Sequence, residues 1–501
     1  MHDRLQRFLT LLGSLTLAAS AHAAPQDEHG AESQDRPLRN VVFVLADDLG
    51  WTDLGSFGST FYDTPHLDAL AASGARLTQA YAACPVCSPT RSSILTGQYP
   101  ARTHNTDYFG APQPEALEQR ERYKRPLLPP RYEPRLAADA LTLAEALKEA
   151  GFATFFAGKW HLGHEGSYPE DHGFDVNKGG HERGGPYGGK KYFSPYGNPR
   201  LEDGPDGEHL PARLGRETAD FIRANKDGRF LAYLSFYSVH TPLMGREDLV
   251  AKYEARRAAL EIDGEIWGQE PPRKVRLVQE HAVYGAMVEA MDAAVGEVLR
   301  TLEEEGLADD TLVVFFSDNG GLSTSEGHPT SNVPLRAGKG WLYEGGVREP
   351  TLVRWPGRTA PGSTVEAPVI STDFYPTILE ALGLPARPDQ HVDGRSFAGI
   401  LDGGAGDATR PMFWHYPHYG NQGGTPGGAV RLGDWKLIEF YEDGRLELYD
   451  LARDLSETTN RVEEEPERAA TMRALLDGWR RGTGARMPRP NPRAAQPGTG
   501  R

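Results

Sequence analysis

Asn40-Val-Val-Phe-Val-Leu-Ala46 runs without a break of polarity straight into Asp47-Asp48. Seven residues of this kind are too short for a free-standing helix, and their continuous apolar character predicts a strand buried on both faces, as in a parallel sheet. Two adjacent carboxylates at the C-terminal end of a first strand stand where open α/β sheets build their sites. Left without a partner they repel each other, so a cation is their natural companion; a solvated turn with two acids is the plainer alternative.

Further strands follow the same logic. Residues 77–87 read as a second strand, Phe152–Ala157 as a third and Phe230–Ser238 as an alternating aromatic one. Leu312–Phe316 is again a buried strand, and it delivers Ser317-Asp318-Asn319-Gly320. With Asp47 and Asp48 this makes three carboxylates and one amide, an all-oxygen set suited to Ca²⁺ or Mg²⁺ rather than Zn²⁺. Between the strands, Thr64–Asp68 opens a helix, Leu141–Ala150 and Arg213–Asn225 form others, and residues 273–305 are predicted as one long helix.

The stretch Cys84-Pro-Val-Cys-Ser-Pro-Thr-Arg-Ser-Ser-Ile-Leu-Thr-Gly97 carries the second signal. Ser88 can cap a helix, Pro89 suits its first position, and Gly97 can end it. Cys87 is then expected just before a helix N-terminus, where free amides favour an anion, with Arg91 one turn on. Cys84-Pro-Val-Cys87 also spells C-x-x-C, which leaves a redox pair, a strained disulfide or a plain buried cysteine open. With only 2 Cys in the chain there is no second pair to complete a zinc site.

Two lysines and two histidines complete the candidates. In Gly158-Lys159-Trp160-His161-Leu162-Gly163, an extended backbone would put Lys159 and His161 on one face, an anion binder beside a proton carrier. His240 sits in Val239-His240-Thr241-Pro242, and Lys339 in Arg336-Ala-Gly-Lys339 ahead of Tyr343-Glu-Gly-Gly346.

These motifs, in this order, resemble the type I sulfatases of the alkaline-phosphatase-like superfamily. The match is C-x-P-x-R with a following Leu-Thr-Gly, V-L-A-D-D-L-G, G-K-W-H-L-G, S-D-N-G, and K-x-x-x-Y-E-G-G-x-R-x-P. The resemblance implies a large mixed, mainly parallel α/β sheet sandwiched by helices, with a smaller C-terminal α+β subdomain. It implies a sulfuric ester hydrolase in which Cys87 is oxidised to formylglycine by a formylglycine-generating maturation enzyme. It assigns Asp47, Asp48, Asp318, Asn319 and position 87 to a Ca²⁺ ion, and Arg91 to orienting the nucleophile. Lys159 and Lys339 bind sulfate, His240 meets the leaving oxygen, and His161 serves proton transfer; the two histidine roles can be exchanged. Phosphonate or phosphodiester hydrolysis on the same scaffold is an alternative, as is a non-catalytic exported protein with a Cys84/Cys87 redox pair.

Composition sets the boundaries. The 501 residues are ample for a large core, and the net charge of −16 argues against nucleic acid as partner. The same charge opposes an anionic substrate such as a sulfated glycan, so the site must be locally basic. Residues 1–23 read as a secretory signal peptide, with Arg4 and Arg7 before an apolar run and Ala21-His-Ala23 at its end. The run is short for a membrane span, and no later one is long enough. The expectation is export to the periplasm or beyond, a flexible lead-in at 24–37, a catalytic domain at 38–401, a C-terminal subdomain at 402–485 and a disordered tail at 486–501.

Overall fold

The computed structural model describes residues 36–494. The expected signal peptide, nearly all of the lead-in and the end of the tail lie outside them. From Pro37 onward the chain forms one compact unit.

Its centre is a nine-stranded sheet: β1 (Asn40–Ala46), β2 (Ala75–Tyr81), β3 (Ala153–Gly158), β4 (Val176–Lys178), β5 (Phe230–Ser235), β6 (Thr311–Ser317), β7 (Arg348–Arg354), β8 (Ser363–Val365) and β9 (Val369–Ile370). The spatial order is β8-β2-β7-β6-β1-β5-β3-β4, with β9 also on β2. All neighbours are parallel except β7, which runs against both β6 and β2. β1 is central, and its alternate residues feed two different cores. Val41, Phe43 and Leu45 join one hydrophobic cluster, and Val42, Val44 and Ala46 join the other. That two-sided burial is why the strand shows no polar alternation.

Register decides where the site lies. Ala46 pairs with Ser317, Leu45 with Ser235, and Gly158 with Ser235, so β1, β3, β5 and β6 end on one line. The residues that follow each strand (Asp47, Lys159 and Asp318 among them) are thereby set side by side. β7, running backwards, starts at that same edge and brings the 339–347 segment with it.

Five expectations are corrected. The strand placed at 77–87 stops at Tyr81, and Cys87 is the first residue of its helix, α2 (Cys87–Thr96), rather than the residue before it. Ser88 does not cap that helix; its hydroxyl accepts from Phe109 N–H at 3.0 Å, tying down the next loop. The long helix begins at Ala282 and ends at Glu304, because Arg273–Arg276 pair with Trp267–Glu270 as a hairpin. Lys159 and His161 are not on one extended face, since His161 has a left-handed backbone, φ 55°. The tail expected to be disordered from 486 starts in a ladder, Arg489–Pro490 against Leu127–Leu128.

The smaller antiparallel sheet is β10 (Met412–Tyr416), β11 (Gly427–Leu432), β12 (Trp435–Phe440) and β13 (Leu446–Asp450), covered by the helix Pro466–Thr483. It shares a core with the approach to α2. Trp414, Val430 and Leu437 cluster with Tyr81, Cys84 and Val86, and Trp414 Nε1 donates to Ala82 O at 2.7 Å. Lys436, fully buried, lies 2.9 Å from Glu344 and 3.0 Å from Glu457, which fastens the 339–347 segment to this sheet. The two sheets are therefore one folding unit in contact terms, with the small one buttressing the segment that carries Cys87.

Candidate active site

Strand ends, the α2 N-terminus and the 339–347 segment converge on one buried point. Ligand atoms of Asp47, Cys87 and Asp318 lie within 4.8 Å of one another. Arg91, one turn into α2 and buried, holds this group together. Its Nε and Nη2 both reach Asp318 Oδ2 at 2.7 Å, and Nη2 is 3.8 Å from Asp47 Oδ1. Its Nη1 donates to Ser235 Oγ at 2.6 Å and to Lys159 O at 2.8 Å, so the guanidinium also ties β5 to the end of β3. The fork of donors that only arginine provides is used on both sides.

Two lysines divide the remaining acids. Lys159 Nζ is 2.6 Å from Asp47 Oδ2, and Lys339 Nζ is 2.6 Å from Asp48 Oδ1. Asn319 Nδ2 also donates to Asp48 Oδ1, at 2.8 Å. After these bonds are made, three buried oxygens have no hydrogen-bond partner: Asp47 Oδ1, Asp48 Oδ2 and Asn319 Oδ1. Buried acceptors left unpaired are costly. Three of them beside Asp318 and Cys87 form a hard-oxygen cradle that fits a divalent cation. Burial, with the neighbouring Asp318 and Asp48 carboxylates, drives the Asp47 carboxyl up against the pull of Lys159 and Arg91, whereas Lys339 and His240 overcome burial at Asp48 and hold it well below the carboxylate range.

In front of this floor opens a cleft of about 330 Å³. Cys87, His161, His240 and Lys339 line its inner end, and Tyr108, Gly184, Glu326 and Gln422 its mouth. Lys159, assigned by sequence to the sulfate, is not among the lining residues; it stands behind Asp47. His240 Nε2 is 3.7 Å from Asp48 Oδ2, and its Nδ1 is 2.6 Å from Thr241 O, which fixes the ring. Burial lowers its pKa to about 4, although Asp48 pulls the other way. His161 Nε2 meets Phe109 O at 2.8 Å, and burial, helped by Lys159, keeps this imidazole neutral. Both rings can accept a proton at neutral pH.

The C-x-x-C alternatives fare poorly here. Cys84 and Cys87 are both free thiols. Burial pushes the Cys87 thiol up to about 11 despite both lysines, and Cys84 well above its usual value. Redox cysteines need the opposite shift.

The motifs named Cys87, Arg91, both lysines, both histidines and the four oxygen ligands, and the fold brings all ten into this neighbourhood. They did not name the mouth. Glu326, Asn421, Gln422 and Gly184 come from loops without periodicity, and no spacing in the sequence distinguishes them from other loop residues.

The sulfatase family model matches residues 39–384, and the model of the N-sulphoglucosamine sulphohydrolase C-terminal region matches 337–478. A sulfatase of Formosa agariphila is 33% identical over 88% of each chain. Human arylsulfatase A is 32% identical, covering 81% of this chain and 75% of its own. The crystal structure of Ps i-CgsB in complex with k-i-k-neocarrahexaose superposes with a TM-score of 0.71 at 26% identity, covering 89% and 93% of the two chains. The chain belongs to the sulfatase family, sulfuric ester hydrolases of alkaline-phosphatase-like fold. Among the described residues no helix is long and apolar enough to cross a membrane.

Proposed function

We propose that this protein hydrolyses a sulfate monoester on a carbohydrate, with position 87 converted to formylglycine and Ca²⁺, or Mg²⁺ in its place, held by Asp47, Asp48, Asp318 and Asn319. The observation that carries the reading is the cradle of unpartnered buried oxygens beside Cys87, flanked by Lys159 and Lys339. A bound cation would supply positive charge to a sulfate and to the oxygen attacking it. Formylglycine would supply two hydroxyls on one carbon, one to attack sulfur and one to let the sulfated enzyme collapse.

The chain's own residues do the rest. Arg91 fixes Asp318 and Asp47, so the ligand set is preorganised before substrate arrives. Lys339 reaches the cleft and meets the sulfate; Lys159, behind Asp47, holds that carboxylate and adds to the local positive field that a chain of charge −16 needs here. His240 protonates the leaving oxygen: an arriving sulfate brings negative charge beside the ring and raises its pKa from the low ligand-free value. His161, held neutral, takes the proton of the second hydroxyl. The carbohydrate assignment rests on the sugar-bound relative, and it extends to a signal peptide at 1–23 that would deliver the enzyme outside the cytoplasm.

The test has two stages. Mass spectrometry of the peptide carrying position 87, from protein made with a formylglycine-generating enzyme, is expected to show the aldehyde or its hydrate. The converted protein is then expected to release sulfate from members of a sulfated-sugar panel, and a protein that cleaves only phosphonate or phosphate diesters would sink the sulfatase reading. N-terminal sequencing of exported protein should begin near Ala24.

A further inference from the structure

The mouth of the cleft holds an acid that the reaction does not need. Glu326 stands on the loop after β6 and lines the same cleft as Cys87, His240 and Lys339. Its carboxylate is aimed by three neutral donors. Asn421 Nδ2 and Gln422 Nε2 donate to Oε1 at 2.9 and 2.8 Å, and Thr241 Oγ1 donates to Oε2 at 3.3 Å. Gln422 is buried, so its amide is a fixed support. Among the described residues no lysine, arginine or histidine forms an ion pair with Glu326. Each carboxylate oxygen has two acceptor sites; Asn421 and Gln422 fill those of Oε1 and Thr241 fills one of Oε2, so one site on Oε2 remains for a ligand.

A carboxylate here works against the charge of any sulfate entering the cleft. Lys339, in the same cleft, interacts favourably with Glu326 without forming an ion pair, and a group on the substrate can supply a direct partner. A neighbouring hydroxyl or amino group does so, by donating to the free lone pair. A second sulfate or a carboxylate at that position cannot, and would face a like charge in a half-enclosed site. The anchoring amides come from the C-terminal subdomain and Thr241 from the loop that carries His240, so the acid is held in register with the reacting centre.

We infer that Glu326 is a specificity-determining residue: it selects sulfated sugars that present a free hydroxyl or amino group beside the sulfated carbon, and rejects those with a second anion there. This deepens the sulfatase reading and rests on it.

The test uses substituted phenyl sulfates with the full-length converted enzyme. One carries an aminomethyl group, one a hydroxymethyl group and one a carboxylate. The kcat/KM ratio of the aminomethyl to the carboxylate compound is measured for wild type, Glu326→Gln and Glu326→Ala. Each ratio is taken within one protein, so a variant of lower overall activity still reads out. Comparing ratios between proteins cancels the leaving groups' intrinsic reactivity. Removal of one charge at this range in a partly shielded site is expected to shrink the ratio about fivefold to tenfold in both variants. Calorimetric Kd values of the same two compounds for unconverted protein, with cysteine at 87, should shift in the same sense. Ratios unchanged within about twofold in both variants, while sulfate release persists, overturn the role of Glu326 alone. No sulfate release by converted wild type from these three compounds or from the sulfated-sugar panel overturns the sulfatase reading instead; release from sugars alone moves the same ratio measurement to amino-bearing and carboxylate-bearing members of that panel.

Discussion

The floor of the cleft and its mouth are built from different materials. The floor is ionic, buried and set by strand register: Asp47, Asp48 and Asp318 against Arg91, Lys159 and Lys339. The mouth and the buried segments behind it are joined by mostly side-chain hydrogen bonds rather than ion pairs: Asn421 and Gln422 to Glu326 at the cleft, and Thr106 and Asp107 to His418 and Tyr416 to Asp107 in the buried layer next to it. Even the Asp107–His418 contact at 3.3 Å is not an ion pair at any pH. Burial raises that carboxyl to about 7 and lowers that imidazole to about 3. The difference teaches that charge is tolerated in this molecule where many partners converge on one point, and suppressed where a single pair would have to bear it.

The comparison breaks most violently at Arg91. Arg91→Ala leaves Asp318 and Asp47 facing each other without their shared cation, and a loss of about 3–5 kcal/mol is expected in urea unfolding of the otherwise intact chain. A loss below about 1 kcal/mol would mean that the floor is not held ionically. Removing the proposed cation with a chelator is the next test. At 100 times Kd the ion stabilises by about 2.7 kcal/mol, and that increment should disappear on chelation and return with Ca²⁺. Floor and mouth meet at Gly184, where an added Cβ would lie 2.5 Å from His161 Cε1. Gly184→Ala is expected to displace that ring and lower kcat about tenfold to a hundredfold, with the unfolding midpoint nearly unchanged. Unaltered kcat would remove His161 from the reaction.

The last effect is spread over several pH units rather than read at one, as a slope at Asp107, next to the cleft-lining Tyr108. Burial raises the Asp107 carboxyl in the folded state to about 7, above the usual carboxylate value of about 4, so the native chain binds the extra proton between those values. Its stabilising contribution is therefore present at low pH and fades as pH rises from about 4 to 7, by up to ~1.4 kcal/mol per pH unit. Asp107→Asn cannot titrate. Its stability relative to wild type should rise across that window in parallel denaturation series, and a flat difference would show that Asp107 is ionised throughout.

How much of this was legible depended on the kind of residue. β1 and β6 were read from unbroken apolar runs, and each ends in the acids that now face each other, because a strand buried on both faces has no other pattern. The α2 helix was read from its proline and its terminal glycine, yet its start was misplaced. Ser88 found a better partner in Phe109 N–H than in its own helix, and a local capping signal cannot anticipate a loop some twenty residues away. The 273–276 hairpin strand was read as helix because four residues paired to a neighbour leave no periodicity of their own. Lys159 and His161 both reach the site but not side by side, since a single left-handed residue turns one of them to the cleft and the other to Asp47.

The sequence by itself determined the strands that are buried on both faces, the acids that end them and the side chains able to do sulfate ester chemistry, since residue type and local order carry that information. The tertiary structure decided which lysine looks into the cleft, which oxygens are left unpaired for a cation and which acid guards the mouth. Those outcomes come from strand register and from contacts between segments far apart in the chain, such as Glu326 with Gln422 and Cys87 with Asp318, and such pairings have no local signature in a single chain.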